Sequence, residues 1–179
     1  MHDTVSRLIE AHAAETGEVA LEAVDTGALF THAATAAAAA AAAKGIGIAC
    51  VPGSHRVLAE PTMLSHALGN LISNAIKYSP PGSVVRLDAG PHGQGVRISV
   101  TDRGPGIPPG ETHLLFKKFS RLSPQPTGAD PSSGLGLYIV RTLAERMHAV
   151  AGWEPNPQGG SVFFLDFPAQ NGGGAQDFA

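Results

Sequence analysis

A lone cysteine, Cys50, excludes an internal disulfide framework and suits a reducing compartment. Aromatic residues make up only 6% of the chain, so its core is mostly aliphatic. Positive charge is not in excess. The formal net charge of -3 leaves no electrostatic footprint for nucleic acid, and none is expected as a partner. Long apolar runs are also missing. The longest, Ala33 to Ala43, is alanine-rich, too short to span a bilayer and ended by Lys44. Met1-His2-Asp3 shows no basic segment followed by an apolar one, so no signal peptide is expected. These absences predict a cytoplasmic segment without membrane contact of its own, compatible with a membrane-anchored parent. What is there, 179 residues with 43% hydrophobic content, suffices for one domain and a short appendage.

Residues 3–14 read as an amphipathic helix, with Val5, Leu8, Ile9 and His12 on one side. Val19 to Val24 reads as a strand. Asp25 and Thr26 are good N-caps for a helix running to about Lys44, where Gly45 supplies a left-handed stop. Ile46 to Val51 and Arg56 to Ala59 are short strands joined by Pro52-Gly53-Ser54. Pro61 suits the first turn of a helix to about Tyr78, ended by Pro80-Pro81-Gly82. Ser83 to Ala89 and Gly95 to Thr101 alternate apolar and polar residues and predict a hairpin across Gly90-Pro91-His92-Gly93. Residues 122–133 read as a mobile loop, Gly134 to Met147 as a helix, and Trp153 with Val162 to Phe167 as a last hairpin. The tail from Gln170 is expected to be disordered. Helices alternating with hairpins predict a two-layer α/β sandwich: a mixed, mostly antiparallel sheet covered on one face by three helices.

Three segments carry chemistry. On the helix at 61–78, Asn70, Asn74 and Lys77 fall at i, i+4 and i+7 and share one face, while Met63, Leu64, Leu68, Leu71 and Ile72 can turn to a core. An Asn carbonyl is a fair ligand for Mg²⁺, and Lys77 can set a positive charge on phosphate oxygens. By itself this is equally an ordinary exposed polar face. Asp102 follows a strand and precedes Gly104 and Gly106; a carboxylate there can accept a hydrogen bond from an exocyclic amine. In isolation such a segment is more often a common Asp-Gly turn. Ser133-Gly134-Leu135-Gly136-Leu137 opens a helix whose first amides are unpaired, and its glycines let phosphates approach them.

The order and spacing of these segments resemble the ATP-binding catalytic domain of sensor histidine kinases, in the superfamily shared with gyrase, the heat-shock ninety chaperone and mismatch-repair ATPases. The resemblance covers roughly residues 19–168 and implies the Bergerat-type ATP-binding fold. It also implies roles. The residue matching Asn74 holds Mg²⁺; those matching Asn70 and Lys77 lie along the phosphates, and Tyr78 lies near the ribose. Asp102 binds the adenine amine, with Gly104, Gly106 and Ile107 completing that motif. Phe116 to Arg121 resembles the family's phenylalanine box, in which Phe116 and Phe119 pack under the loop and Arg121 reaches the phosphates. Ser133 to Leu137 forms the phosphate loop, with Leu135 and Leu137 seating its helix. Asn70 stands where gyrase-like relatives have a Glu to activate water; an amide cannot act as that base, so transfer is implied over hydrolysis. Departures are Lys117 for the usual acid, Ser132 for a Gly, Glu60 for an Asp, and Ala149-Val150 where Gly-Gly often ends the last helix.

A phosphoacceptor motif is lacking. None of the eight histidines, His2, His12, His32, His55, His66, His92, His113 and His148, sits in a His-acid pattern with the family's further Pro. Residues 1–18 instead resemble the end of a dimerisation and phosphoacceptor helix with its linker; 169–179 is read as a tail. The expectation is a kinase catalytic domain that uses ATP and Mg²⁺, with a histidine-bearing hairpin and a response regulator as partners. Two alternatives stand beside it: a catalytically silent ATP-binding regulatory module, and a serine kinase of the anti-sigma-factor type, which tends to carry Glu where Asn70 stands.

Overall fold

A computed structural model describes residues 19–120, 122–124, 127 and 134–169. The first helix expected from the sequence, at 3–14, and the tail from Gln170 lie outside the described residues. The element order is β1 (Glu22–Asp25), α1 (Thr26–Ala43), β2 (Gly47–Cys50), β3 (Arg56–Ala59), α2 (Pro61–Tyr78), β4 (Val84–His92), β5 (Gly95–Thr101), a 3₁₀ helix (Pro109–Leu114), α3 (Gly136–Arg146), β6 (Val150–Pro155) and β7 (Ser161–Phe167).

The main sheet has five strands in the order β2-β4-β5-β7-β6. Only β2 and β4 pair in parallel; the other neighbours are antiparallel. This is the mixed, mostly antiparallel sheet expected. The strands β2 and β3, consecutive in sequence, part company: β3 pairs with β1 in a separate two-stranded sheet. Gly53 at φ 137° turns the chain between them.

Period-two alternation sorts the sheet's faces. Leu87, Val100, Phe163 and Trp153 align across four strands on the inner face, and Ala89, Ile98, Leu165 and Ala151 form the next row. On the outer face Arg97 bonds Asp166 through Nε (2.7 Å) and Nη2 (2.8 Å), reaches Glu154 (2.7 Å), and lies 3.6 Å from the Phe164 ring centroid. Burying the inner rows needs a helical layer. Helix α2 supplies most of it: Leu64, Ala67, Leu68, Leu71, Ile72 and Ala75 are all essentially inaccessible. A fully buried Leu or Ile stabilises by about 1.5–3 kcal/mol, so this one face anchors the layer. In α1 the contact stripe is Leu29, Phe30, Ala33, Ala37 and Ala41, and much of the alanine run beyond it is exposed.

Local chemistry sets the ends. Asp25 caps α1 by accepting from Ala28 N–H at 2.8 Å, and Gly45 takes φ 63° past its end. Glu60 caps α2 through Thr62 and Met63 N–H, so the Glu that departs from the family's Asp still serves as a cap. The β4–β5 hairpin runs further than the alternation predicts: His92 pairs with Gly95, and the turn is Gly93-Gln94, with Gly93 at φ 57°. Pro91 fits inside β4 because β2 ends opposite Leu87, so nothing beyond it needs the missing N–H. Helix α3 starts at Gly136, two residues later than expected, because Gly134 is held left-handed at φ 69°. It ends without a Gly-Gly: His148 takes the left-handed position at φ 57°, and Ala149 N–H reaches back to Ala144 O at 2.8 Å. Among the described residues no helix is long and apolar enough to cross a membrane.

Candidate nucleotide site

Helix α2 is the axis of the site. Its apolar face is consumed by the core, which leaves Asn70, Asn74, Lys77 and Tyr78 half-buried along another side. Asn70 Nδ2 donates to His66 O at 3.0 Å, and this turns its Oδ1 toward the start of α3. There, a β-carbon built on Gly136 would lie 3.4 Å from Asn70 Oδ1 and 3.8 and 3.9 Å from the Asn74 amide atoms. The structure thus brings the asparagines against the first turn of α3, whose amide groups are electropositive. Leu135 and Leu137 pack against the core and seat that turn, as expected.

Asp102 reaches the other end of α2. It is 4% exposed, and its Oδ1 accepts from Gly104 N–H at 2.8 Å and Ser161 N–H at 3.1 Å. Burial pushes its carboxyl above the ordinary range, and the two N–H donors pull back only part of that shift. Both donors use Oδ1, which leaves Oδ2 for a ligand. Gly104 is needed for close approach: a β-carbon there would sit 3.1 Å from Tyr78 O and 3.3 Å from Tyr78 Cβ. Arg103 N–H donates to the buried Ser79 Oγ at 3.3 Å, which fastens the same turn to the end of α2. Gly106 is left-handed at φ 74°, and Ile107 packs against the core.

Three supports were not foreseen in the sequence. The β6–β7 turn buttresses Asp102: Asn156 Nδ2 donates to Asp102 O at 3.1 Å, and Gly160 lies so close to that carbonyl that a β-carbon would be 2.3 Å from it. Its Gly159-Gly160 pair is a visible turn signal, but nothing local ties it to a carboxylate near 102. Lys44 and Thr127 meet at the last turn of α2. Ser123 donates to Glu111 through its hydroxyl and through N–H at 2.7 Å; the hydroxyl first, then the N–H, hold that carboxyl below its ordinary range.

The phenylalanine box divides. Phe116, at φ 62°, packs against the core, but Phe119 is 66% exposed. Its φ of 60° matches that of Phe116, yet its ring faces solvent, contrary to the packed position that the resemblance implied. Lys117 and Lys118 line a cleft of about 430 Å³ with Phe116, Tyr138, Arg141, Thr142 and Glu145, which contains none of the nucleotide candidates. Arg121, Ser132 and Ser133 lie outside the described residues. Gly134 packs against Ser120 O, 2.7 Å from where a β-carbon would stand, and so ties the glycine loop to the end of that box.

An α/β sandwich that sets an amide face against a glycine-opened helix start, with a buried carboxylate at the far end, defines a nucleotide-binding domain. Residues 59–171 match the family described as histidine kinase-, DNA gyrase B- and HSP90-like ATPases, and the chain belongs to that family. It is 34% identical over 169 residues to the sensor-like histidine kinase SenX3 of Mycolicibacterium smegmatis, covering 93% of this chain and 44% of that protein. Among solved structures it is similar to the mycobacterial sensor histidine kinase MprB (27% identity, TM-score 0.71, covering 84% of this chain and 98% of that one). It is also similar to full-length ShkA in complex with AMPPNP (29% identity, TM-score 0.72, covering 93% and 36%). The domain is of the histidine-kinase ATP-binding type, and these relatives favour neither alternative reading. The chain spans less than half the length of the curated SenX3 relatives it matches.

Proposed function

We propose that this domain binds MgATP along α2 and transfers the γ-phosphoryl group to a histidine carried by a separate hairpin domain, which then supplies a response regulator. The observation that carries this reading is the convergence on α2 of Gly136 at Asn70 and Asn74 and of the Asp102 turn at Tyr78. From residue 70 to residue 78 the helix rises about 12 Å, room for an extended nucleotide. Asp102 Oδ2 accepts from the adenine amine, Tyr78 borders the ribose, and Gly104, Gly106 and Ile107 admit the base. Lys77 and Arg121 neutralise phosphate charge, the 133–137 loop presents amides to it, and Phe119 borders the loop.

Asn74 fits a magnesium ion. Mg²⁺ favours oxygen donors and takes most of them from phosphates and water. One amide oxygen is therefore a sufficient protein contribution, and among the described residues no group of three His, Cys, Asp or Glu competes for it. Bound there with the nucleotide, the ion would neutralise charge on the phosphates. In the transfer, an imidazole nitrogen of the acceptor forms a bond to the γ-phosphorus, the bond to the β–γ bridging oxygen breaks, and ADP leaves with those electrons. The imidazole releases a proton. The protein's part is positioning and charge neutralisation. Asn70 accepts no proton, so water is not activated in competition.

Residues 1–18 are assigned to the end of the hairpin helix and its linker, 19–168 to the catalytic domain, and 169–179 to a tail, with the whole segment in the cytoplasm. Calorimetric titration with MgATP tests the binding half of this reading: micromolar-range saturable binding is expected, and no heat at millimolar ATP would overturn it.

A further inference from the structure

At the end of α2, donors from two distant segments converge on the helix's last carbonyls. Lys44, the residue that follows α1, places Nζ 2.7 Å from Ile76 O and 2.7 Å from Lys77 O, and its third donor meets Thr127 Oγ1 at 2.6 Å. An ammonium group has three donors, so all three are spent. Thr127 closes the ring. Its N–H donates to Lys77 O at 3.1 Å, and its hydroxyl lies 3.0 Å from both Lys77 O and Ser79 O. Lys44 and the backbone already donate to the Lys77 carbonyl, so the Thr127 hydroxyl proton is best directed to Ser79 O. Carbonyls at a helix C-terminus carry partial negative charge, and a cation there is favourable. Here the cation comes from outside the helix and is shared with a third segment.

This matters because of what that turn carries. Lys77 and Tyr78 belong to the proposed phosphate and ribose contacts, and Ser79 receives the Arg103 N–H of the Asp102 turn. We propose that Lys44 and Thr127 act together as positioning residues of the nucleotide site, fixing the last turn of α2 and through it Lys77, Tyr78 and the Asp102 turn. The proposal rests on the nucleotide reading above. It also gives Lys44 a role beyond ending the alanine-rich helix.

The test is calorimetric titration of the 179-residue chain with MgATP, with melting temperatures recorded alongside. Lys44→Met and Thr127→Val should each weaken ATP binding about tenfold, and the double variant no more than either alone, because both open one ring. Thr127→Ser, which keeps the hydroxyl, should restore wild-type affinity. Thr127 is exposed, so Thr127→Val keeps the test alive even where Lys44→Met lowers stability. Wild-type affinity in both single variants, whatever their melting temperatures, overturns the proposal. So do losses that add fully in the double variant. A wild-type chain that binds no ATP defeats the nucleotide reading itself, a separate result.

Discussion

Replacing Asp102 by Asn isolates one atom. In the wild type Oδ1 accepts from Gly104 and Ser161 N–H, and an Asn Oδ1 keeps both bonds. What changes is the other position, where a carboxylate acceptor becomes an NH₂ donor. Set against the adenine amine, donor faces donor. A hydrogen bond to a charged group contributes about 1.5–3 kcal/mol, so ATP affinity should fall roughly 10- to 150-fold at about 1.4 kcal/mol per decade. GTP, whose guanine offers a carbonyl oxygen at that edge, should lose less or gain. Stability moves the other way. Burial raises the Asp102 carboxyl, so its contribution to stability is full below the ordinary carboxylate pKa and is lost as pH rises through the raised one. Asp102→Asn has no such loss. Its stability relative to wild type should therefore improve as pH climbs from the ordinary carboxylate range to neutrality. Wild-type ATP binding should weaken on acidification sooner than an ordinary aspartate would dictate, and more steeply than the variant's. Calorimetry with ATP and GTP, and urea melts at several pH values, read both. An Asp102→Asn chain that binds ATP within twofold of wild type, or that loses relative stability toward neutral pH, would refute this reasoning.

Asn74→Ala should lower the phosphoryl-transfer rate by at least about 100-fold, the cost of misplacing a reacting group, while ATP binding without magnesium changes little; stopped assays with and without the metal separate the two. Gly136→Ala should leave the melting temperature close to wild type, since Gly136 opens α3 at a backbone angle that any residue adopts, yet weaken ATP binding, because its methyl enters the gap 3.4 Å from Asn70 Oδ1. Two more glycines differ in one readout, ATP affinity. Gly160→Ala forces a side chain into φ 100° and against Asp102 O, so it should cost both stability and ATP affinity. Gly152→Ala meets the Phe164 ring at 2.2 Å on the outer face of the sheet and should cost stability alone. Thermal melts with ATP titrations distinguish them.

The α2 face was legible because a helix repeats its face every three to four residues, and the core side of Met63 to Ile76 leaves the asparagine side determined. The Asp102 turn and the glycine loop were legible from their glycines. Strand pairing was not. The alternation in 46–51 and 56–59 marks two strands but does not say that they join different sheets, because that choice is made by β1 and β4, far away in the chain. The outward Phe119 escaped for another reason: Phe116 and Phe119 share a left-handed backbone, and nothing in the motif says which of the two faces the core. Asn156, Lys44 and Thr127 donate to carbonyls 30 to 60 residues distant, and Ser161 through its own N–H to the Asp102 carboxylate; a bond that uses a backbone group leaves no mark on that residue's identity.

The most direct test of the account is phosphoryl transfer itself. The chain is incubated with γ-labelled MgATP and a folded, histidine-bearing hairpin domain from its own system, and the hairpin is assayed for phosphate. Acid-labile, alkali-stable label is expected on the hairpin histidine, with little ATP turnover when the hairpin is left out. A hairpin that a related kinase can phosphorylate but that this ATP-bound chain leaves unlabelled would contradict it.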